Sequence, residues 1–154
     1  MKQAHWIERI ILRKLDNERT LKPVSAHCDV PCGIYETDSM THAAETVCKM
    51  MEKMQALEKP KQGDEKADLE YRNTFVRMVE TKEKFAQKCK EEILILWTDY
   101  FKQEHIMKIS NLHELIWKTT QLCSSAKRTA DVKVGEELKK AVQEVAEAFK
   151  KTKQ

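Results

Sequence analysis

The chain has 154 residues, of which 41% are hydrophobic and 34% charged, with a net charge of +3 and only three glycines and three prolines. That length makes one domain that buries a core of its own, and so few breakers favour helix over turn-rich architectures. No apolar run is long enough for a membrane span, and the interleaving of bases with acids argues against a nucleic-acid partner.

Residues 1–26 carry six bases (Lys2, Arg9, Arg13, Lys14, Arg19, Lys22) against three acids (Glu8, Asp16, Glu18), so the whole excess charge lies there. The remainder is neutral, with 22 bases and 22 acids. "HWIERIILRKL" has the spacing of a short basic amphipathic helix. Glu8, Arg9, Arg13 and Lys14 interrupt the apolar core that a secretory signal requires. The segment closes on the small residues of "PVSA", which resemble a cleavage site. Residues 1–26 therefore read as a removable leader, and residues 27–154 as the functional domain.

Next comes "HCDVPCGIY", with His27 beside Cys28 and a second thiol at Cys32. From Ser39 the pattern turns helical: Ala43, Ala44, Val47, Cys48, Met51, Met54 and Leu57 follow one helix face. Pro60 and Gly63 punctuate "EKPKQGDEK". A longer helix then carries Tyr71, Phe75, Met78, Val79, Phe85, Cys89, Ile93, Leu96 and Tyr100, and is expected to end near "FKQEH". A third starts at about Asn111, an acceptable N-cap, with Leu112, Leu115, Ile116, Thr119, Leu122, Cys123 and Ala126. A last one follows Asp131 with Val134, Leu138, Ala141, Val142, Val145 and Phe149. Four apolar stripes joined by short connections predict an all-α, antiparallel up-down four-helix bundle. Five cysteines make an odd set, so a closed disulfide framework is not expected. Cys48, Cys89 and Cys123 fall on helix stripes and read as small buried hydrophobes.

Cys28 and Cys32 lie outside every stripe. With His27 they form a metal site, a redox pair, half a zinc site or an accidental cluster. Zinc would need two more ligands, and His42, His105 and His113 offer no spaced pair. Cleavage before His27 would expose an α-amine beside the imidazole. Cys28 would add a thiolate and, once deprotonated, its backbone amide nitrogen, and Cys32 a second thiolate. Amine, amide nitrogen and two thiolates suit the planar geometry of d8 Ni(II), with the imidazole above the plane. Such anionic donors also bring Ni(III) within reach, so the site would cycle by one electron. Pro31 limits the loop's conformations, and Gly33 permits a sharp exit.

"HCDVPCGIY" closely resembles the hook motif of the nickel-containing superoxide dismutases. "LWTDYFK" and "NLHELIWKTTQLCSSAK" are similar to two further blocks of that family, so the resemblance spans about residues 27–127. It implies a right-handed four-helix bundle with an N-terminal metal-binding hook. It also implies proteolytic removal of a leader by a maturation protease, one nickel per subunit, a homohexamer, and superoxide as substrate. His27, Cys28 and Cys32 are then the ligands, and Tyr35 orders water or superoxide at the open face of the metal. Asp29 and Pro31 shape the hook, and Tyr100 and Lys102 belong to its surroundings. Some family members support the axial imidazole with a Glu on the first helix and an Arg on the second. Ala43 and Phe85 stand at those positions here. The other functional class is a nickel or copper carrier, or an inactive helical scaffold; the open-face Tyr35 favours the enzyme. The expected compartment is the cytoplasm, because the leader lacks a secretory core and a reducing setting keeps both thiols available.

Overall fold

In the computed structural model, residues 33–153 are described. They form helices α1 (Asp38–Ala56) and α2 (Glu65–Ile95), a π-helical turn (Leu96–Tyr100), then α3 (Gln103–Lys108), α4 (Leu112–Arg128) and α5 (Val132–Thr152). There is no strand among the described residues.

Side-chain capping starts α2 and α5. Gly63 adopts φ +96°, a left-handed conformation that favours glycine, and so turns the chain into α2. Asp64 then caps α2 by accepting the Ala67 N–H at 3.0 Å, with Glu65 and Asp68 favouring the positive end of the helix dipole. Asp131 caps α5 in the same way, from the Lys133 N–H at 3.0 Å. Asn111 does precede α4, but its side chain makes no capping bond.

The four long helices form the expected bundle, in which α1 and α4 each pack on both α2 and α5. Neighbours run antiparallel. Ser39 at the start of α1 donates to Glu92 near the end of α2 at 2.8 Å. Lys90 and Lys82 of α2 reach Ser124 and Thr129 respectively, so α2 and α4 are paired in opposite directions. The predicted stripes supply the core: Val47, Met51, Ile93, Leu112, Leu138, Val142 and Val145 are fully buried. Each such side chain contributes about 1.5–3 kcal/mol by leaving water. Gly135 lets α5 approach α1 closely, since a Cβ there would sit 3.0 Å from the Cys48 Cα.

Two features depart from the sequence pattern. The second helix does not end as a regular α-helix. Its last turn widens, and the Phe101 N–H bonds the Leu96 carbonyl at 2.9 Å, five residues back. A fifth helix, the six-residue α3, then fills the connection to α4.

Lys82 lies on the buried side of α2 with only 3% of its surface exposed. Its ammonium donates to the carbonyls of Ala126, Lys127 and Thr129 at 2.7, 2.6 and 2.9 Å. All three N–H donors are thereby used, and the open C-terminus of α4 is closed. Burial pushes the ammonium pKa down, and Glu83 partly offsets it. Cys48, Cys89 and Cys123 are buried free thiols, in keeping with their stripe positions. A hydrogen bond with Cys123, reinforced by burial, holds the Cys89 thiol far above its ordinary pKa. It is therefore a packing group and not a nucleophile.

Candidate metal centre and its surroundings

His27, Cys28, Asp29, Pro31 and Cys32 lie outside the described residues. The described chain opens at Gly33, whose φ of +70° is the left-handed turn expected for an exit from the motif. Tyr35 comes two residues later, and its ring meets Tyr100 with centroids 5.3 Å apart. The segment before α1 thus meets the end of α2, and Lys153 at the end of α5 reaches the same place by donating to the Tyr35 carbonyl.

Tyr100 is the hub of this cluster. Beyond Tyr35, its ring lies against Phe101 at 5.3 Å, His105 at 5.4 Å and Phe149 at 4.6 Å. The His105 contact is a near-parallel stack at 16°. The π turn delivers Tyr100 and Phe101 to this position, and α3 returns His105 over them. The Nδ1 of His105 accepts the Lys102 N–H at 3.1 Å, which fixes both the ring and the start of α3. At the other end of α3, Lys108 donates to the Lys151 carbonyl of α5 at 2.9 Å. Lys102, the basic residue singled out by its motif, is exposed at this end.

Sequence reasoning missed four contributors. His105 sits on a helix too short to show periodicity. Phe149 holds a core position on the α5 stripe, but it also packs against Tyr100. Thr152 and Lys153 belong to a charged run that reads as a solvated tail. Yet Thr152 pairs with the Tyr100 hydroxyl at 2.8 Å. Lys153 donates to the Tyr35 carbonyl at 3.2 Å, with its ammonium 4.4 Å from the centre of the Phe149 ring. Ala43 is fully buried, and Phe85 turns its ring toward His42 at 6.1 Å. Neither side chain has a polar group with which to support an imidazole.

The described residues contain no cluster of three or more His, Cys, Asp or Glu placed to hold a metal. Nor do they include a helix long and apolar enough to cross a membrane. The described residues define an all-α, up-down bundle with a cluster of aromatic rings around Tyr100 at one end. The particular family emerges from comparison with known proteins. Residues 22–153 match the family model described as nickel-containing superoxide dismutase. The "Superoxide dismutase [Ni]" of Streptomyces coelicolor is 33% identical over 130 residues, covering 84% of this chain and 90% of that protein. The protein of the same name from Streptomyces seoulensis is 32% identical over 130 residues. The native nickel superoxide dismutase structure superposes with a TM-score of 0.71 at 30% identity, covering 83% of this chain and all of that one. The chain belongs to the nickel-containing superoxide dismutase family.

Proposed function

We propose that the chain dismutes superoxide at a nickel centre created when cleavage between Ala26 and His27 frees a new amino terminus. His27 would hold the metal through its α-amine and imidazole, Cys28 through its thiolate and its deprotonated backbone amide nitrogen, and Cys32 through a second thiolate. This donor set, rich in anionic sulfur and nitrogen, suits nickel better than zinc or a hard cation. Bound there, nickel supplies a one-electron couple between the +2 and +3 states, through which two superoxide anions and two protons become O₂ and H₂O₂.

The protein's own groups do the rest. Tyr35 orders water or superoxide, and Tyr100 fixes the Tyr35 ring from one side. Asp29 and Pro31 shape the motif. The domain after the leader carries no net charge, so attraction of the anion is local, and Lys102 provides it. The observation that carries this reading is the meeting of Tyr35 and Tyr100, two rings far apart in sequence, just downstream of the thiol motif. A homohexamer fits the exposed apolar side chains of Leu69, Val76 and Trp117, the last 60% exposed. A maturation protease and a reducing cytoplasm complete the proposal, the latter keeping both thiols available for nickel.

The test is processing. In an uncut chain the His27 nitrogen is an amide whose lone pair is delocalised, and it is a poor donor. A chain beginning at His27 is expected to bind nickel stoichiometrically and to dismute superoxide. The full-length chain is expected to do neither, and one residue ahead of His27 should be nearly as damaging as the whole leader. Comparable nickel-dependent activity from the uncut chain would overturn the amine ligand and leave a simpler two-thiolate centre.

A further inference from the structure

The Tyr100 ring is clamped on several sides, so its remaining freedom is the direction of its hydroxyl. That hydroxyl lies 2.8 Å from the Oγ1 of Thr152, and either atom could donate on distance alone. The next contact decides. The Oγ1 of Thr152 is 2.6 Å from the Phe149 carbonyl oxygen. A carbonyl has no proton to give, so the single hydroxyl hydrogen of Thr152 must bridge that gap. Thr152 then has only lone pairs to offer Tyr100. The phenol is the donor, and its one proton is committed to the end of α5.

We infer that Thr152 is a positioning residue that orients the Tyr100 hydroxyl inward and makes Tyr100 an acceptor-only group at this end of the bundle. The chain of bonds from Tyr100 through Thr152 to the Phe149 carbonyl is cooperative, since each donation strengthens the next. The free lone pairs of the Tyr100 oxygen can therefore hold a group that carries a proton: water, an ammonium or hydrogen peroxide. They repel the bare oxygen of superoxide. Hydrogen bonding to the anion is left to other groups, Tyr35 and Lys102 foremost. The direction of the hydroxyl comes from the geometry alone, whereas its consequence for turnover rests on the dismutase reading.

Two readouts separate these levels. The first uses the full chain labelled with ¹³C at the tyrosine ζ position, with its three tyrosine resonances assigned by Tyr→Phe substitution. Thr152→Val removes the acceptor at nearly constant shape and is expected to shift the Tyr100 resonance upfield, away from the phenolate range, as a donated bond is lost. Thr152→Ser keeps the hydroxyl and should restore it. A simple role in ending α5 would change the melting temperature without this pattern. The second readout is steady-state dismutation by the nickel-loaded chain beginning at His27. There Thr152→Val is expected to lower kcat/KM by roughly two- to tenfold, the size of one misdirected hydrogen bond, with rescue by Thr152→Ser. A Tyr100 resonance that Thr152→Val leaves unmoved, or moves downfield toward the phenolate range, overturns the inferred direction. A shifted resonance with unchanged kcat/KM overturns its role in turnover. Absence of activity in the unsubstituted processed chain counts against the dismutase reading, while the resonance still decides the direction of the hydroxyl.

Discussion

The two ends of the bundle close their helices by opposite means. Where α4 stops, one buried ammonium from Lys82 takes three carbonyls at once. Where α5 stops, the work is divided. Thr152 takes the Phe149 carbonyl, the Lys153 N–H takes that of Lys150, and Lys108 takes that of Lys151. The first closure is compact and serves the fold alone. The second involves residues that also touch Tyr35 or Tyr100, so stability and chemistry share side chains at that end. Substitutions should therefore separate cleanly at the Lys82 end and between the helices, and less cleanly near Tyr100.

The largest expected effect is at the thiol motif. Cys28→Ser or Cys32→Ser should abolish nickel binding and dismutation while leaving the helical circular dichroism signal intact, because neither residue lies on a helix stripe. Loss of helix in either variant would break the division between motif and scaffold. Lys82→Met should have the converse result. It keeps the aliphatic stem but leaves carbonyls at the end of α4 without partners, at a cost of about 2 kcal/mol read from urea midpoints. Nickel stoichiometry should not change, and a fall in it would show that the two ends are coupled. Cys89→Ser is the smallest change. Placing a hydroxyl among apolar neighbours, where the Cys123 thiol is a weak partner, should cost about 1 kcal/mol with nickel retained. A well-folded Cys89→Ser protein without metal would contradict the assignment of this thiol to the core.

The four long helices are legible in the sequence because each must bury a stripe, and a stripe is periodic. Cys89 and Cys123 can be assigned to the core on that ground, and both are fully buried. Lys82 is not legible, for a lysine beside Glu80 and Glu83 reads as part of a solvated face. Its three partners are backbone oxygens at the end of another helix, and nothing in their side chains announces them. The short α3 has too few turns to show a period, and its N-cap position holds Lys102 where a capping side chain would be sought. Of the site residues, Tyr35, Tyr100 and Lys102 come from motif resemblance and fall at one end of the bundle. Thr152 escapes notice because its pairing with Tyr100 spans 52 residues, a distance no local pattern encodes.

The widened turn at Leu96–Tyr100 also bears on how such a site arises. A π turn is one surplus residue in an otherwise regular helix, so inserting a single codon is enough to create it and losing that codon erases it. Deletion there would leave everything before Leu96 in place and swing the downstream residues by about 100° around the helix axis. Tyr100 would turn away from Phe149 and Thr152. A point substitution changes one member of this cluster; a three-nucleotide indel assembles or dismantles the whole of it in one step.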